Sequence, residues 1–244
     1  MSNGIHLSVI IPAYKEEKRI PETLKEVDKY LSKQVYGYEI IVVCDGSPDR
    51  TAEVVQKMTK DIKNLRLIDN KENHGKGYVV RQGLLEAKGK FRLFMDADNS
   101  TSVDQVEKMW PEFEKDFGVV IGSRDIKGAV LEPAQPWWRI TLGNTYNLIV
   151  QIISGLWGIW DTQCGFKGFT AKAAKDIFSK CQINRFSFDV EVLVTAKKMG
   201  YKIKEIPVTW KNDLSSTVGF KSMFKMLVEV FQIRWNLITG KYNL

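Results

Sequence analysis

The stretch Phe91 to Thr101, FRLFMDADNST, decides how the chain is read: an apolar run ends abruptly in two carboxylates, Asp96 and Asp98, one residue apart. Similar short runs precede and follow it: LSVIIPAY from Leu7, YEIIVVCDG from Tyr38, LRLIDN from Leu65 and FGVVIGSR from Phe117. Each is rich in β-branched residues and closed by turn or charged residues, the pattern of strands buried on both faces. Helices are expected between them at 19–33, 49–62, 77–88 and 102–115, with Ser47-Pro48-Asp49 and Ser102 as start signals. Strand, helix, strand at this spacing implies right-handed βαβ units, hence an α/β fold with a mostly parallel sheet flanked by helices. Ligands bind such sheets at the carboxyl ends of the strands, where strand order reverses. The pattern brings Asp45, Asp96, Asp98 and Arg124 to that edge.

Composition bounds the rest. With 244 residues, 44% hydrophobic and 27% charged, the chain fills one ordinary core with room for a small appended piece. A net charge of +7 favours a phosphorylated substrate, an anionic lipid surface or nucleic acid over an acidic partner. Cys44, Cys164 and Cys181 are odd in number and lack ligand spacing, which predicts free thiols and no structural zinc; His6 and His74 lie in unrelated motifs. No leader pattern precedes Leu7 and no apolar run reaches the roughly 18 residues of a spanning helix, so neither a signal peptide nor a transmembrane segment is expected.

Beyond residue 126 the regularity breaks. KGAVLEPAQPWW (127–138) reads as a mobile loop, followed by the apolar stretch ITLGNTYNLIVQIISGLWGIW (140–160). A strand is expected at 161–171, a helix at 188–200 and a strand at 201–210. The last segment sets Phe220, Met223, Phe224, Leu227, Phe231 and Ile238 on one helical face, flanked by Lys221, Lys225 and Arg234. It and the segment from Leu142 to Trp160 fit amphipathic helices lying in a membrane interface, and fit packing onto the sheet or into a homodimer as well.

Two carboxylates in the turn beyond a strand can approach one cation, and few oxygen ligands completed by substrate phosphates suit Mg or Mn. Such a metal neutralises a diphosphate leaving group, the chemistry of a nucleotide-sugar donor. The same pair also serves as turn former or helix cap. An aspartyl phosphatase would carry it on the first strand followed by Thr or Val, whereas here Asn99-Ser100 follows the fourth strand. A nucleic-acid-binding module is disfavoured, because no RNP-like or helix-turn-helix pattern appears.

SVIIPAYKEE, IIVVCDGSPDRTAE, NHGKGYVVRQGLLEAKGKFRLFMDADNST, VVIGSR and DTQCGFKGF occur in the order seen in glycosyltransferase family 2, and the resemblance covers residues 7 to about 211. It implies the Rossmann-like GT-A fold and transfer with inversion. DTQCGFKGFT, FSFDVEVLVTA and IKEIPVTW resemble the polyprenyl-phosphate branch, the glucose enzymes more closely than the mannose ones. That branch moves a hexose from a nucleotide sugar, UDP-glucose or GDP-mannose, to a polyprenyl (dolichyl or undecaprenyl) phosphate; a soluble or polysaccharide acceptor is the alternative within the family.

Carried over by position, Pro12, Tyr14 and Glu16 line the nucleoside pocket and Asp45 reaches the base. Asp96, Ala97 and Asp98 hold the metal and the ribose-diphosphate, while Asn73 and Lys76 approach the donor. A lipid monophosphate arrives ionised, so no strong base is obligatory and cations must align it. Arg124 and Arg139 are the candidates, with Asp161 as base or acceptor positioner and Gln163 at the sugar; Lys167 reads as structural. Two departures from the family pattern are Lys15 in place of Asn and Cys44-Asp45 in place of a doubled Asp. The expected organisation is a glycosyltransferase domain at 1–211, donor half 1–125 and acceptor half 126–211, with C-terminal interfacial amphipathic helix 212–244. The enzyme is expected peripherally on the cytoplasmic face of a membrane.

Overall fold

The computed structural model describes residues 4–133, 137–211 and 220–244. The first half alternates as expected: β1 (Ile5–Ala13), α1 (Ile20–Leu31), β2 (Gly37–Asp45), α2 (Thr51–Met58), β3 (Leu65–Asn70), α3 (Lys76–Glu86), β4 (Phe91–Met95) and β5 (Val119–Ser123). Between β4 and β5 the anticipated single helix is a 3₁₀ turn (Val103–Lys108) followed by the short α4 (Trp110–Glu114). Pro111 explains the break, since it cannot donate to the carbonyl four residues back and its ring crowds that turn.

The second half continues with β6 (Val130–Glu132), α5 (Trp137–Ser154), β7 (Phe166–Thr170), α6 (Ala171–Phe178), α7 (Phe188–Lys198), β8 (Ile203–Pro207), β9 (Thr209–Lys211) and α8 (Phe220–Ile238). Four expectations change here, the first being that the strand expected at 161–171 is only Phe166–Thr170, with a loop at 161–165 before it. Residues 130–132 of the anticipated loop form a strand, which pairs parallel with β9. The strand expected at 201–210 is two strands in different sheets, divided at Val208, directly after Pro207, which has no N–H to continue a ladder. Helix α6 was hidden by a strand pattern drawn through Ala171; Thr170 caps it by accepting from the Ala173 amide at 3.2 Å.

The main sheet has the order β3-β2-β1-β4-β7-β5-β8. All pairings are parallel except those of β7, which runs antiparallel to both β4 and β5. Order reverses at β1, which pairs with β2 on one side and β4 on the other. Because β7 is reversed, its N-terminal end meets the carboxyl end of β4, with Met95 opposite Phe166. The loop 161–165 is thereby delivered to the ligand edge.

Successive strand residues feed two cores. Ile10, Ile41, Val43 and Phe94 face one shared with α3, α5, α6, α7 and α8; Val9, Ile11, Val42 and Met95 face the other, shared with α1 and α2. Helix α3 lies so close to β1 that a Cβ on Gly83 would come within 2.6 Å of Ile10 Cγ2. On α8 the buried stripe is Met226, Val230 and Ile233, packed with α5 and α7. Phe224, Phe231 and Ile238, expected together on one face, are exposed; the side chains of Phe220 and Met223 lie outside the described residues.

Candidate active site

At the edge where strand order reverses lies a pocket of about 710 Å³. It is lined by Pro12, Tyr14, Glu16, Asp45, Asn73, Lys76, Asp96, Ala97, Asp98, Arg124 and Gln163, eleven residues singled out in the sequence. They come from the ends of β1, β2, β4 and β5, the turn before α3 and the loop before β7. The side chain of Arg139 lies outside the described residues, its backbone being in the first turn of α5.

The loops after β1 and β2 are stitched together. The Lys15 amide donates to Ser47 Oγ at 3.2 Å and the Glu16 amide to Thr51 Oγ1 at 2.9 Å, while Asp49 Oδ1 accepts from the Thr51 amide at 3.1 Å. Lys15 has φ 59°, a left-handed conformation that Asn adopts at less cost. The Glu16 carboxylate is held by Arg19 through two contacts of 2.8 Å. Burial raises its pKa, with Asp98 and Asp96 adding to the rise and Arg19 opposing it.

Asp45 organises the next turn. Its carboxylate accepts from Asn73 Nδ2 at 2.9 Å, the His74 amide at 2.7 Å and the Gly75 amide at 2.9 Å. Gly75, at φ 101°, then starts α3 and brings Lys76 Nζ to 2.7 Å from Asp96 Oδ1. Cys44, the departure beside Asp45, is fully buried in a core.

Asp96 is cradled from below. Its amide donates to the Gly165 carbonyl at 3.1 Å, and a Cβ on Gly165 would fall 1.9 Å from Asp96 Oδ2. Asp98 Oδ1 accepts from the Ser100 amide at 2.9 Å. The two carboxylates share the pocket wall, and among the described residues no group of three or more His, Cys, Asp or Glu converges as a metal site.

Asp161 does not line the pocket; it is fully buried behind Arg124. Its oxygens accept from the Arg124 amide, Nε and Nη2 at 3.0, 2.7 and 2.9 Å and from the Gln163 amide at 3.1 Å. Burial alone would raise this carboxyl, but the Arg124 charge and its hydrogen bonds hold it below the usual range. The Arg124 guanidinium also stacks 5.4 Å from the Trp210 ring. Lys167 is buried and pairs with Asp189 Oδ1 at 2.6 Å, donating to the Cys164 carbonyl as well.

Other residues of the wall had no role assigned from the sequence: Asp189 at the start of α7, Arg185 and Phe186 just before it, and Met226 from α8. Asp189 and Phe186 lie in the FSFDVEV motif and Gly165 in DTQCGF, where neither an isolated Asp inside a helix pattern nor a Phe or Gly signals a place in a pocket.

A parallel sheet of this order, with one reversed strand and a polar pocket at the switch point, is the GT-A glycosyltransferase architecture. It superposes with TM-score 0.72 on mannosyl-3-phosphoglycerate synthase from Rubrobacter xylanophilus, at 15% identity over 98% of this chain and 76% of that one. With glucosyl-3-phosphoglycerate synthase from Mycobacterium tuberculosis, solved with Mn2+, UDP and phosphoglyceric acid, the TM-score is 0.69 at 15% identity, covering 99% and 80%.

The chain belongs to glycosyl transferase family 2, whose model matches residues 8–178, and it is a glycosyltransferase. Among similar proteins, a dolichyl-phosphate beta-glucosyltransferase of Trichomonas vaginalis is 36% identical over 94% of this chain and 73% of its own. Those of Dictyostelium discoideum and Homo sapiens are 36% and 34% identical, over 99% and 98% of this chain and 78% of each relative.

Proposed function

We propose that the enzyme transfers glucose from UDP-glucose to the terminal phosphate of a polyprenyl lipid, with inversion, at a membrane surface. The relatives named above support the sugar and the acceptor. The observation that carries the reading is the position of α8. Its Met226 lines the same pocket as Asp96 and Asp98, while Phe224, Val228, Phe231, Trp235 and Ile238 are exposed beside Leu148, Ile149 and Ile152 of α5. A polar transfer site next to a broad apolar face fits an acceptor that is a phosphate at one end and a hydrocarbon at the other. No described helix is long and apolar enough to cross a membrane. The exposed apolar face supports peripheral attachment, and a nucleotide-sugar donor supports the cytoplasmic face.

In this reading residues 1–125 hold the donor and 126–211 the acceptor. Tyr14 and Pro12 flank the nucleoside, and Asp45 holds the 73–75 turn against it. Asp96 and Asp98 are the residues that would hold a divalent cation: both carboxylates are on the pocket wall, and oxygen ligands in small number suit Mg or Mn when substrate phosphates supply the rest, although Asp96 Oδ1 is paired with the Lys76 ammonium at 2.7 Å in this structure. Mg or Mn held there would supply charge neutralisation for the diphosphate leaving group. Lys76 adds positive charge on the same side.

An acceptor phosphate oxygen attacks the anomeric carbon from the face opposite the nucleotide. The carbon–oxygen bond to UDP breaks, and UDP departs with the electron pair. With a second pKa of about 6 the phosphate is largely ionised at neutral pH, so no side chain has to remove a proton. Asp161, whose lone pairs are taken by Arg124 and Gln163, serves as a positioning residue that fixes the Arg124 guanidinium at the pocket wall.

The test is transfer by the purified chain with Mn or Mg and a short polyprenyl phosphate, with UDP-glucose and GDP-mannose supplied separately and Asp98→Ala as control. A glucosyl-phosphate lipid formed only from UDP-glucose and lost in the variant is expected. Reaction with GDP-mannose instead overturns the donor, and no lipid product from either overturns the acceptor.

A further inference from the structure

The segment 181–187, which joins α6 to α7, is braced from four sides. The amides of Gln182 and Ile183 donate to the two oxygens of Glu191, each at 2.9 Å, and Tyr242 donates to the same carboxylate at 2.8 Å. Arg81 of α3 donates to the Cys181 carbonyl at 2.9 Å and to Asn184 Oδ1 at 2.8 Å. The Tyr78 amide donates to the Asn184 carbonyl at 3.2 Å. From α8, Glu229 accepts from the Ser187 amide and the Met226 carbonyl from Ser187 Oγ, both at 3.0 Å.

What this bracing displays is unusual. Arg185 and Phe186, in the middle of the segment, are exposed and line the pocket. Phe186 exposes 53% of its surface on a backbone held in place, and among the described residues Arg185 makes no hydrogen bond or ion pair. Arg124, by contrast, spends its Nε and Nη2 on Asp161. The loop also touches the donor side: a Cβ on Gly75, next to Lys76, would lie 3.1 Å from Arg185 Cγ. On its other flank it is bonded directly to α8, the helix with the exposed apolar face.

We propose that Arg185 and Phe186 form the acceptor subsite. Arg185 takes the terminal phosphate of a polyprenyl monophosphate, and Phe186 with Met226 covers its first isoprenoid unit. The inference rests on the lipid-phosphate reading above and adds the residues that recognise the lipid. A guanidinium fork matches two phosphate oxygens, and a rigid aromatic beside it admits hydrocarbon at little entropic cost. Tethering through Ser187 and Glu229 sets the subsite at a constant height above the α8 surface.

The test is steady-state transfer with Arg185→Gln, Arg185→Lys and Phe186→Ser, varying UDP-glucose and polyprenyl phosphate separately. Loss of one charged hydrogen-bonding partner predicts a KM for the lipid phosphate raised roughly 10- to 100-fold in Arg185→Gln, partly restored by Lys, with the KM for UDP-glucose unchanged. Phe186→Ser raises the lipid KM alone. A second readout needs no turnover: UDP-loaded protein is titrated with farnesyl phosphate, farnesol and inorganic phosphate. Farnesyl phosphate binding tighter than either part, and falling to the farnesol level in Arg185→Gln, supports the subsite even if no sugar is transferred, in which case only the reaction reading fails. An unchanged lipid KM and unchanged farnesyl phosphate binding in Arg185→Gln, or a shift confined to the UDP-glucose KM, overturns it.

Discussion

Arg124 clasps both carboxylate oxygens of Asp161, Nε at 2.7 Å from Oδ2 and Nη2 at 2.9 Å from Oδ1. Asp161 is 0% exposed, while the Arg124 side chain is 26% exposed toward the pocket. The pair turns a flexible side chain into a fixed cation. Asp161→Asn replaces one of the two oxygens, so two of the four donors lose their acceptor, and it removes the negative charge opposite the Arg124 guanidinium. The expected cost is about 3 kcal/mol of stability in urea unfolding, together with a turnover loss of roughly 100-fold. Arg124→Lys keeps the charge without the fork and is expected to lose turnover with a smaller change in stability. Equal unfolding midpoints for Asp161→Asn and the parent would contradict this account.

Gly165→Ala tests the cradle under Asp96. The added Cβ would lie 1.9 Å from Asp96 Oδ2, and the end of that side chain can swing away more cheaply than the backbone can move. A small change in melting temperature is expected, with metal-dependent UDP binding weakened by roughly tenfold or more, about 1.4 kcal/mol. Calorimetric titration of UDP with Mn present and absent reads it; an intact metal-dependent increment would count against the cradle.

The three cysteines predict a chemical behaviour. Burial pushes the thiols of Cys44 and Cys164 up to about 12, nearby carboxylates adding to it, and that of Cys181 up as well. Alkylation needs the thiolate. At pH 8 the native protein should therefore resist iodoacetamide at all three, and take up three carbamidomethyl groups once unfolded in urea. Rapid labelling of the native protein, read by mass spectrometry, would contradict the burial.

The apolar face of α5 and α8 makes a docking prediction. Phe231 and Trp235 are 59% and 61% exposed. With burial at about 1.5 to 3 kcal/mol per large side chain, Phe231→Glu with Trp235→Glu should lower binding to phosphatidylcholine/phosphatidylserine vesicles by well over tenfold. The oligomeric state of both proteins in solution is read in parallel by light scattering. A parent that is dimeric in solution and becomes monomeric in the double variant would assign the face to a homodimer instead.

Lys15→Asn addresses the departure at the tip of β1. Its φ of 59° strains a lysine more than an asparagine, so the substitution should stabilise the fold by about 0.5 kcal/mol in urea unfolding. No gain would indicate that the 5.4 Å contact of the Lys15 ammonium with the Tyr14 ring offsets the strain.

Much of this enzyme was legible in one dimension. Buried parallel strands advertise themselves as short β-branched runs, and the residues at their carboxyl ends share one edge, so Asp45, Asp96, Asp98 and Arg124 could be grouped from order alone. The limits are equally physical. Apolar periodicity carries no strand direction, so nothing in FKGFT announced that β7 runs backward and sets Gly165 beneath Asp96. An α8 apolar on two faces reads as a single stripe, although Met226, Val230 and Ile233 are core while Phe224, Phe231 and Ile238 are not.

Local features are written in the order of residues: which segments extend, which coil, and which acids and bases stand at their ends. Pairing, by contrast, arises only when the chain is folded. Folding gave Arg124 to Asp161, Lys167 to Asp189 and Lys76 to Asp96, and left Arg185 without a partner among the described residues. The separations involved, 37 residues for Arg124 and Asp161 and 22 for Lys167 and Asp189, are closed only by the sheet, whose register no local propensity encodes.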